Sequence, residues 1–181
     1  MKIVGVDLAG NPKNDTGICI LTVGDKKSVH TLIVKEDERI IALIESENPD
    51  LVAIDAPLIY SGVNRKCDDM LRQYGALPVT LRGMEILARR GSRLSDKLGK
   101  QFKLIEVFST ASARILGIYD KNDMRAQKML NSLDLDGDTN TRLMTRDELD
   151  SIFAAFTGFL HLVGQTKNVG DETGTVVIPD V

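Results

Sequence analysis

Residues 2–34 read KIVGVDLAGNPKNDTGICILTVGDKKSVHTLIV and contain three short apolar runs. The runs Lys2–Asp7, Thr16–Val23 and Ser28–Val34 are rich in β-branched residues and are too short for typical helices, which favours strands. Turn-forming residues separate the runs, such as Gly24–Lys27 between the second and the third. The segment therefore predicts three consecutive antiparallel strands.

The next part of the chain alternates between helical and strand patterns. Apolar residues recur at helical spacing over Ile40–Ile44, and the apolar run Leu51–Asp55 then predicts a buried strand that ends before Pro57. A helix that connects two strands of one sheet forms a crossover, and crossovers place strands parallel. Phe102–Phe108 is predicted to be a fifth strand.

The order of these elements is that of the ribonuclease H-like fold, in which three antiparallel strands lead into a parallel part. We therefore predict an α/β fold with a five-stranded mixed sheet and helices on both faces. No repeat or low-complexity linker divides the sequence. Residues 1–181 are thus expected to form a single domain, with a basic helical insertion at about 60–101.

The C-terminal part is predicted to be mostly helical. A long helix is expected to begin at Thr145, because Thr145 and Glu148 have the spacing of a capping box. The DLDGD segment at 134–138 does not match a calcium loop and is interpreted as a solvated turn. Thr175–Ile178 is predicted to be a short terminal strand.

The composition indicates an ordinary globular protein. Hydrophobic residues make up 43% and charged residues 27% of the chain, and the formal net charge is −3. No apolar run reaches the length of about 18 residues that a membrane span needs, and no secretory leader is evident. The two cysteines, Cys19 and Cys67, form no CxxC motif, which favours a reducing cytoplasm over a disulfide framework or a zinc site. We therefore expect a cytoplasmic protein without a membrane partner.

Basic residues concentrate in one segment of this acidic chain. Between Tyr60 and Lys103 there are ten Lys or Arg residues against four Asp or Glu residues. Such a segment either attracts a polyanion such as nucleic acid or is only a solvated helical face. In the first case the substrate-binding residues are expected to be arginines, namely Arg65, Arg72, Arg82, Arg89, Arg90 and Arg93.

Acidic residues stand at the ends of predicted strands. Asp7 ends the first strand and Asp55 the fourth, and Glu106 interrupts the apolar fifth. Sites in open α/β sheets lie beyond the carboxyl ends of the strands, so these carboxylates are expected to meet there. Asp147 and Asp150 share one face of the last long helix, and Asp150 is the stronger candidate because acids in a first helical turn are common.

Several carboxylates in close reach repel one another, and divalent cations relieve that repulsion. Oxygen ligands suit hard cations, so Mg²⁺ or Mn²⁺ is the expected cofactor. Metals on such ligands promote phosphodiester hydrolysis without a protein nucleophile. The expected catalytic residues are Asp7, Asp55, Glu106 and Asp150, and the expected metal ligands are the same four residues together with Asp147.

The chain resembles the predicted nucleases of domain of unknown function 429 (DUF429), which is assigned to the ribonuclease H-like superfamily. The resemblance extends in order over nearly the whole chain. It implies functional positions at Asp7, Asp55, Glu106 and Asp150, together with Arg65 and Asp68. The sequence departs from the family pattern at EVFS, 106–109, where the family usually has Glu-Val-Tyr-Pro. The matching segments are GVDLAGNPKNDTGICIL (5–21), VAIDAPL (52–58), NRKCDDMLRQYG (64–75), EVFSTASARILG (106–117), RDELDSIFAAFTGFLHL (146–162) and VVIP (176–179).

Three functions are compatible with these features. The first is a metal-dependent nuclease that hydrolyses phosphodiester bonds of DNA or RNA, with the basic segment as its substrate platform. The second is a non-catalytic nucleic-acid-binding protein of the same fold. The third is a nucleotide phosphotransferase, although sugar kinases with this core need two such domains and 181 residues hold one.

Overall fold

The structure, a computed structural model that describes residues Met1–Val181, is built around a mixed β-sheet of six strands. The strand order is β5-β4-β1-β2-β3-β6. Antiparallel pairing joins β1 to β2 and β2 to β3, whereas β4, β5 and β6 pair parallel to their neighbours. The strands are β1 (Lys2–Asp7), β2 (Thr16–Val23), β3 (Lys27–Val34), β4 (Leu51–Asp55), β5 (Leu104–Glu106) and β6 (Leu135–Gly137).

The expected number of five strands is wrong, because the segment interpreted as a solvated turn supplies a sixth. Asp134 adopts a left-handed conformation with φ of 56° and ends the preceding 3-10 turn. The buried side chain of Leu135 then anchors β6 beside residues 27–29 of β3. The terminal strand was also predicted only in part, since β7 (Thr166–Asp171) and β8 (Gly174–Pro179) form a separate antiparallel hairpin.

Seven helices surround the main sheet. The predicted capping box is confirmed, because Thr145 and Glu148 bond reciprocally at the start of the last helix. No helix has the length and apolar character needed to cross a membrane. The helices are α1 (Asp37–Glu47), α2 (Lys66–Met70), α3 (Arg82–Leu98), α4 (Ser109–Ile115), α5 (Asp123–Met129), α6 (Asp138–Thr141) and α7 (Arg146–Leu162).

Helices cover both faces of the sheet, as expected from the sequence. Alternation along β1 sends Ile3 to one face and Val4 to the other. The face of Ile3 packs against α7 through Phe153 and other buried apolar residues. The face of Val4 packs against α1 and α3, with Leu94 fully enclosed in that second core. Burial of these apolar surfaces holds the sheet between its helices.

Glycines allow α7 to lie directly on the sheet. A Cβ atom added at Gly5 of β1 would stand 2.2 Å from the carbonyl oxygen of Ser151, and one at Gly17 of β2 would stand 1.9 Å from that of Asp147. At Gly158 of α7 an added Cβ would stand 2.8 Å from Ile3. No side chain fits at these positions, so the start of α7 is held close to the ends of β1 and β2.

A candidate metal centre at the strand ends

Three carboxylates lie at the carboxyl ends of neighbouring parallel strands. Asp7 and Asp55 are the last residues of β1 and β4 and are register partners of each other. Glu106 ends β5 and pairs in register with Ile54. The strand order predicted from the crossovers therefore brings these acids to one edge of the sheet, where parallel strands present functional side chains.

Helix α7 adds a fourth carboxylate to the same place. Asp150 lines a cavity of about 280 Å³ together with Asp7, Asp55 and Glu106. Asp147, one turn earlier on α7, lies outside this cavity and faces a shallow depression that it shares with Asp7 and other residues of the β1–β2 turn. Four of the five expected metal ligands thus line one cavity, and the fifth, Asp147, lines a separate depression that shares Asp7 with this cavity.

Burial disfavours negative charge on three of these acids, and the charges of neighbouring acids add to this effect at Asp7 and Asp150. Burial, and then the charges of Asp55 and Asp150, raise the pKa of Asp7 well above its usual range. Burial also raises the pKa of Asp55 to about 6, although hydrogen bonds from Ser109 oppose this shift. The pKa of Asp150 is raised to about 7 by burial and by the charge of Asp55.

Little positive charge within the protein offsets these acids. Arg146 is the only cation that pairs with Asp150, at a long distance of 3.9 Å, and its guanidinium lies closer to Asp123 at 2.6 Å. The set consists only of carboxylate oxygens, which are the ligands of hard divalent cations. In chemical type and in charge, Asp7, Asp55 and Asp150 therefore fit such a cation, although no three acidic, histidine or cysteine side chains are close enough to form a complete ligand set.

Ser109 connects two of the acids. Its backbone N–H, at the start of α4, donates to Asp55 at 3.0 Å, and its buried hydroxyl donates to the carbonyl oxygen of Asp150 at 2.8 Å. The sequence analysis did not predict this positioning contact. Its position directly after a strand and at the first residue of a helix was the available signal.

Glu106 is held by an arginine rather than left free. Arg65 contacts it through Nη1 at 2.8 and 2.9 Å, and also binds Asp68 through Nη2 at 2.7 Å and Nε at 3.2 Å. The backbone N–H of Leu58 donates to the same carboxylate at 2.8 Å. Burial raises the pKa of Glu106 to about 7, and the contacts with Arg65 and Leu58 oppose that shift. Glu106 is therefore engaged within the protein, unlike Asp7.

The arginines of the basic segment do not form a surface around the cavity. Arg65 is only 3% exposed, because its guanidinium neutralises two buried acids, so it is not available on a basic surface as expected. Arg90 is also fully buried and donates to the carbonyl oxygens of Ala9 and Lys35.

The four other arginines of the segment are exposed, and none of them lines the cavity. Arg72 and Arg89 pair with Asp69 and Glu85, respectively. Arg82 and Arg93 form no ion pair. Arg82, Arg89 and Arg93 share one exposed stripe of α3, whereas the cavity is lined by the opposite side of that helix.

The sheet order, with its antiparallel β1-β2-β3 meander and parallel β4 and β5, defines an α/β protein with a ribonuclease H-like fold. The class predicted from the order of elements is therefore confirmed, with six strands instead of five.

Comparison with known proteins agrees with this class. The chain is similar to a solved structure described as "Thermus thermophilus RuvC structure", with a TM-score of 0.54 and 13% sequence identity over 91% of this chain and 97% of that chain. This likeness concerns the fold. No protein-family model and no curated protein sequence matches the chain.

Proposed function

We propose that the protein is a metal-dependent nuclease that hydrolyses phosphodiester bonds of nucleic acid. The observation that carries this proposal is the meeting of Asp7, Asp55 and Asp150 in one cavity, where burial raises the pKa of each and neighbouring acids raise those of Asp7 and Asp150 further. Groups in such an arrangement destabilise the fold unless they serve a ligand, and perturbed carboxylates in a cleft are typical of functional sites.

Asp7, Asp55 and Asp150 would hold Mg²⁺ or Mn²⁺, and Ser109 would orient Asp55 through its N–H. A bound divalent cation supplies positive charge and Lewis acidity for phosphodiester hydrolysis. Glu106 was expected to be a metal ligand, but in this proposal it is not, because Arg65 binds its carboxylate. Glu106 would instead line the cavity and neutralise the charge of Arg65 beside the metal ligands. Asp147 would contribute to metal binding from the depression that it lines together with Asp7 and Asp15.

The exposed arginines have a separate role in this proposal. The stripe of Arg82, Arg89 and Arg93 on α3 would contact backbone phosphates of a strand that extends beyond the cavity, which would give salt-dependent and sequence-independent binding. We also propose that the chain is a member of DUF429. In this interpretation residues 1–181 form one domain, and the segment at about 60–101 is an insertion into the ribonuclease H-like core.

A cleavage assay with labelled DNA and RNA strands tests the proposal. We expect activity with Mg²⁺ or Mn²⁺ and none after chelation. Asp7→Asn and Asp55→Asn should each reduce the rate by at least about a hundredfold, because each removes a ligand of the cation. Asp25→Asn, at an exposed position in the β2–β3 turn, is the matched control and should retain full activity. Equal rates for all four proteins would refute the assignment.

A second candidate is a protein that binds nucleic acid in the same cavity without hydrolysing it. The absence of a complete three-residue ligand set favours this alternative. It predicts strand binding that is unchanged by chelation and no cleavage with either metal. Titration calorimetry with Mn²⁺ separates the two, since only the nuclease proposal requires that Asp7→Asn weakens metal binding.

A further inference from the structure

We propose that the cavity at the strand ends binds a single unpaired nucleotide of a nucleic-acid strand. This inference rests on the proposed function and specifies its substrate. The acids share the cavity with many apolar side chains, which a surface that only attracts a phosphate backbone would not need. A cavity with carboxylates that would hold a divalent cation and with apolar walls suits a ligand that has a phosphate at one end, to meet the cation, and a flat, weakly polar ring at the other.

One wall comes from the segment that follows α2 and from the first turns of α3. It presents Leu71, Ala76, Leu77, Met84 and Leu87 to the cavity. Leu77 is 51% exposed although it is a large apolar residue, so the mouth of the cavity offers uncovered apolar surface.

Two contacts fix α3, and with it this wall, over the strand ends. A Cβ atom added at Gly91 would stand 2.4 Å from the carbonyl oxygen of Pro57, so α3 lies against the loop that follows β4. The buried Arg90 donates to the carbonyl oxygen of Ala9 and ties α3 to the turn after β1. The wall is therefore anchored to the same two strands that carry Asp7 and Asp55.

A second group of lining residues comes from the end of β5 and from β8. Val107, Phe108 and Val176 belong to it, and the isolated bridge between Val107 and Val177 attaches the hairpin to the sheet. In this proposal the two groups supply the apolar atoms that contact a flat ring, which is how nucleobases are held when they leave a stack.

The size and depth of the cavity determine which form of nucleic acid can reach the acids. At about 280 Å³ the cavity is near the lower limit of ligand pockets, about 300 Å³, and has room for one nucleotide-sized group. In this proposal a base occupies the apolar part of the cavity while its phosphate approaches the carboxylates, so the base must first leave its partner. Unpairing is least costly at single strands, bulges and mismatches, so these forms should be preferred.

The test compares three substrates of one sequence: a blunt 20-base-pair duplex, the same duplex with one unpaired nucleotide in the middle, and the single strand. Cleavage is measured with Mn²⁺, and binding is measured by fluorescence anisotropy with Ca²⁺. We expect the two substrates with unpaired nucleotides to be cleaved and bound about tenfold better than the blunt duplex, with cuts next to the unpaired position.

Two variants fill the cavity from different segments. Ala76→Phe and Met84→Phe should each remove the preference, and Mn²⁺ binding by calorimetry should be unchanged because the carboxylates remain. Ala42→Phe, on the exposed face of α1, is the matched control and should behave as wild type. Thermal unfolding of each variant confirms that it is folded. If one of the two filled variants is misfolded, the other still tests the inference.

The outcomes separate this inference from the proposed function. Metal-dependent cleavage of the blunt duplex at an equal rate would overturn the inference and leave the nuclease proposal intact. Failure to cleave any substrate with Mn²⁺ would overturn the nuclease proposal. The binding of the three substrates, measured by fluorescence anisotropy, would then test whether the cavity binds an unpaired nucleotide. Equal binding of the three substrates, or an unchanged preference in both filled variants, would overturn it.

Discussion

At the scale of single residues, the candidate site is defined by acids whose charge opposes folding. Asp7 and Asp55 have no ion-pair partner, and the guanidinium of Arg146 remains 3.9 Å from Asp150. A structural role would have favoured close pairing, as seen between Arg65 and Glu106 at 2.8 Å. The contrast between paired and unpaired acids in one cavity is therefore the expected difference between acids that stabilise the fold and acids that would bind the proposed cation.

Removal of one unpaired charge should stabilise the metal-free protein. For Asp150→Asn at pH 8 without divalent cation, we expect the free energy of unfolding to rise by roughly 1–3 kcal/mol, because repulsion from Asp7 and Asp55 is relieved. Addition of Mg²⁺ should raise the melting temperature of the wild type and leave that of the variant nearly unchanged. Thermal unfolding with and without Mg²⁺ measures both effects. A lower stability of the variant in the absence of metal would contradict this account.

Removal of the paired cation should have the opposite effect. Arg65→Leu leaves Glu106 and Asp68 buried without their partner, and breaking a buried pair in this way costs on the order of 3–5 kcal/mol. Urea denaturation measures the loss. Arg72→Leu is the matched control, since its partner Asp69 is exposed and such pairs contribute less than about 1 kcal/mol. Similar losses in the two variants would show that the buried ion pair contributes no more to the free energy of unfolding than the exposed pair.

At the scale of elements, the sequence predicts the strands that carry the acids, and small residues such as Gly158 in the last helix predict that it lies close to the sheet, but the strand glycines that it packs against were not predicted. Asp7 and Asp55 could be predicted as site residues because each ends an apolar run, a pattern that the sequence shows directly. The role of Gly5 and Gly17 was missed, because a glycine within a strand does not show what packs against it. The strand β6 was missed because its three residues are stabilised by pairing with β3 rather than by local pattern.

The close contact at Gly17 gives a prediction about α7. An added methyl group would stand 1.9 Å from the carbonyl oxygen of Asp147, so Gly17→Ala should displace the start of the helix and lower the free energy of unfolding by about 1–3 kcal/mol. Displacement of Asp150 should also weaken Mn²⁺ binding in calorimetry. Gly24→Ala, where no atom lies within 4 Å, is the control and should change neither property. Unaltered stability and metal binding in Gly17→Ala would exclude this role of the contact.

At the scale of the whole molecule, acids in two environments shape the dependence of stability on pH. Glu148 joins β3 to the start of α7: it accepts hydrogen bonds from Thr31 at 3.0 Å and from the N–H of Thr145 at 2.9 Å, and pairs with Arg142. Burial alone would raise the pKa of Glu148, but these partners outweigh it and the pKa is lowered. Its contribution is therefore present above its unfolded pKa, about 4.3, and is lost as the pH falls through the folded value.

The acids of the cavity act with the opposite sign. The folded pKa values of Asp55, about 6, and Asp150, about 7, lie above the unfolded value of about 3.9, so the folded state binds more protons in this interval. Stability must then fall as the pH rises from about 4 to 7. Without divalent cation we expect the highest stability at about pH 4, where the two effects meet. Mg²⁺ should remove the decline at higher pH, since the cation replaces the protons that these carboxylates would otherwise hold.

Two substitutions separate the loss of stability at low pH from the decline towards neutral pH. Both effects are measured by urea denaturation between pH 3 and pH 8 without metal. Glu148→Gln should lower stability at pH 7 by roughly 1–3 kcal/mol. This loss should shrink as the pH falls through the folded pKa of Glu148, which is lowered, because protonation then removes the charge from the wild type as well. Asp150→Asn should make the fall of the free energy of unfolding between about pH 4 and 7 less steep. It should leave the loss of stability at lower pH unchanged. Glu172→Gln, at an exposed position in the β7–β8 turn, should reproduce the wild-type profile. If wild-type stability rose steadily from pH 5 to pH 8 without metal, the acids of the cavity would not be repelling one another, and the electrostatic basis of the proposed metal centre would be lost.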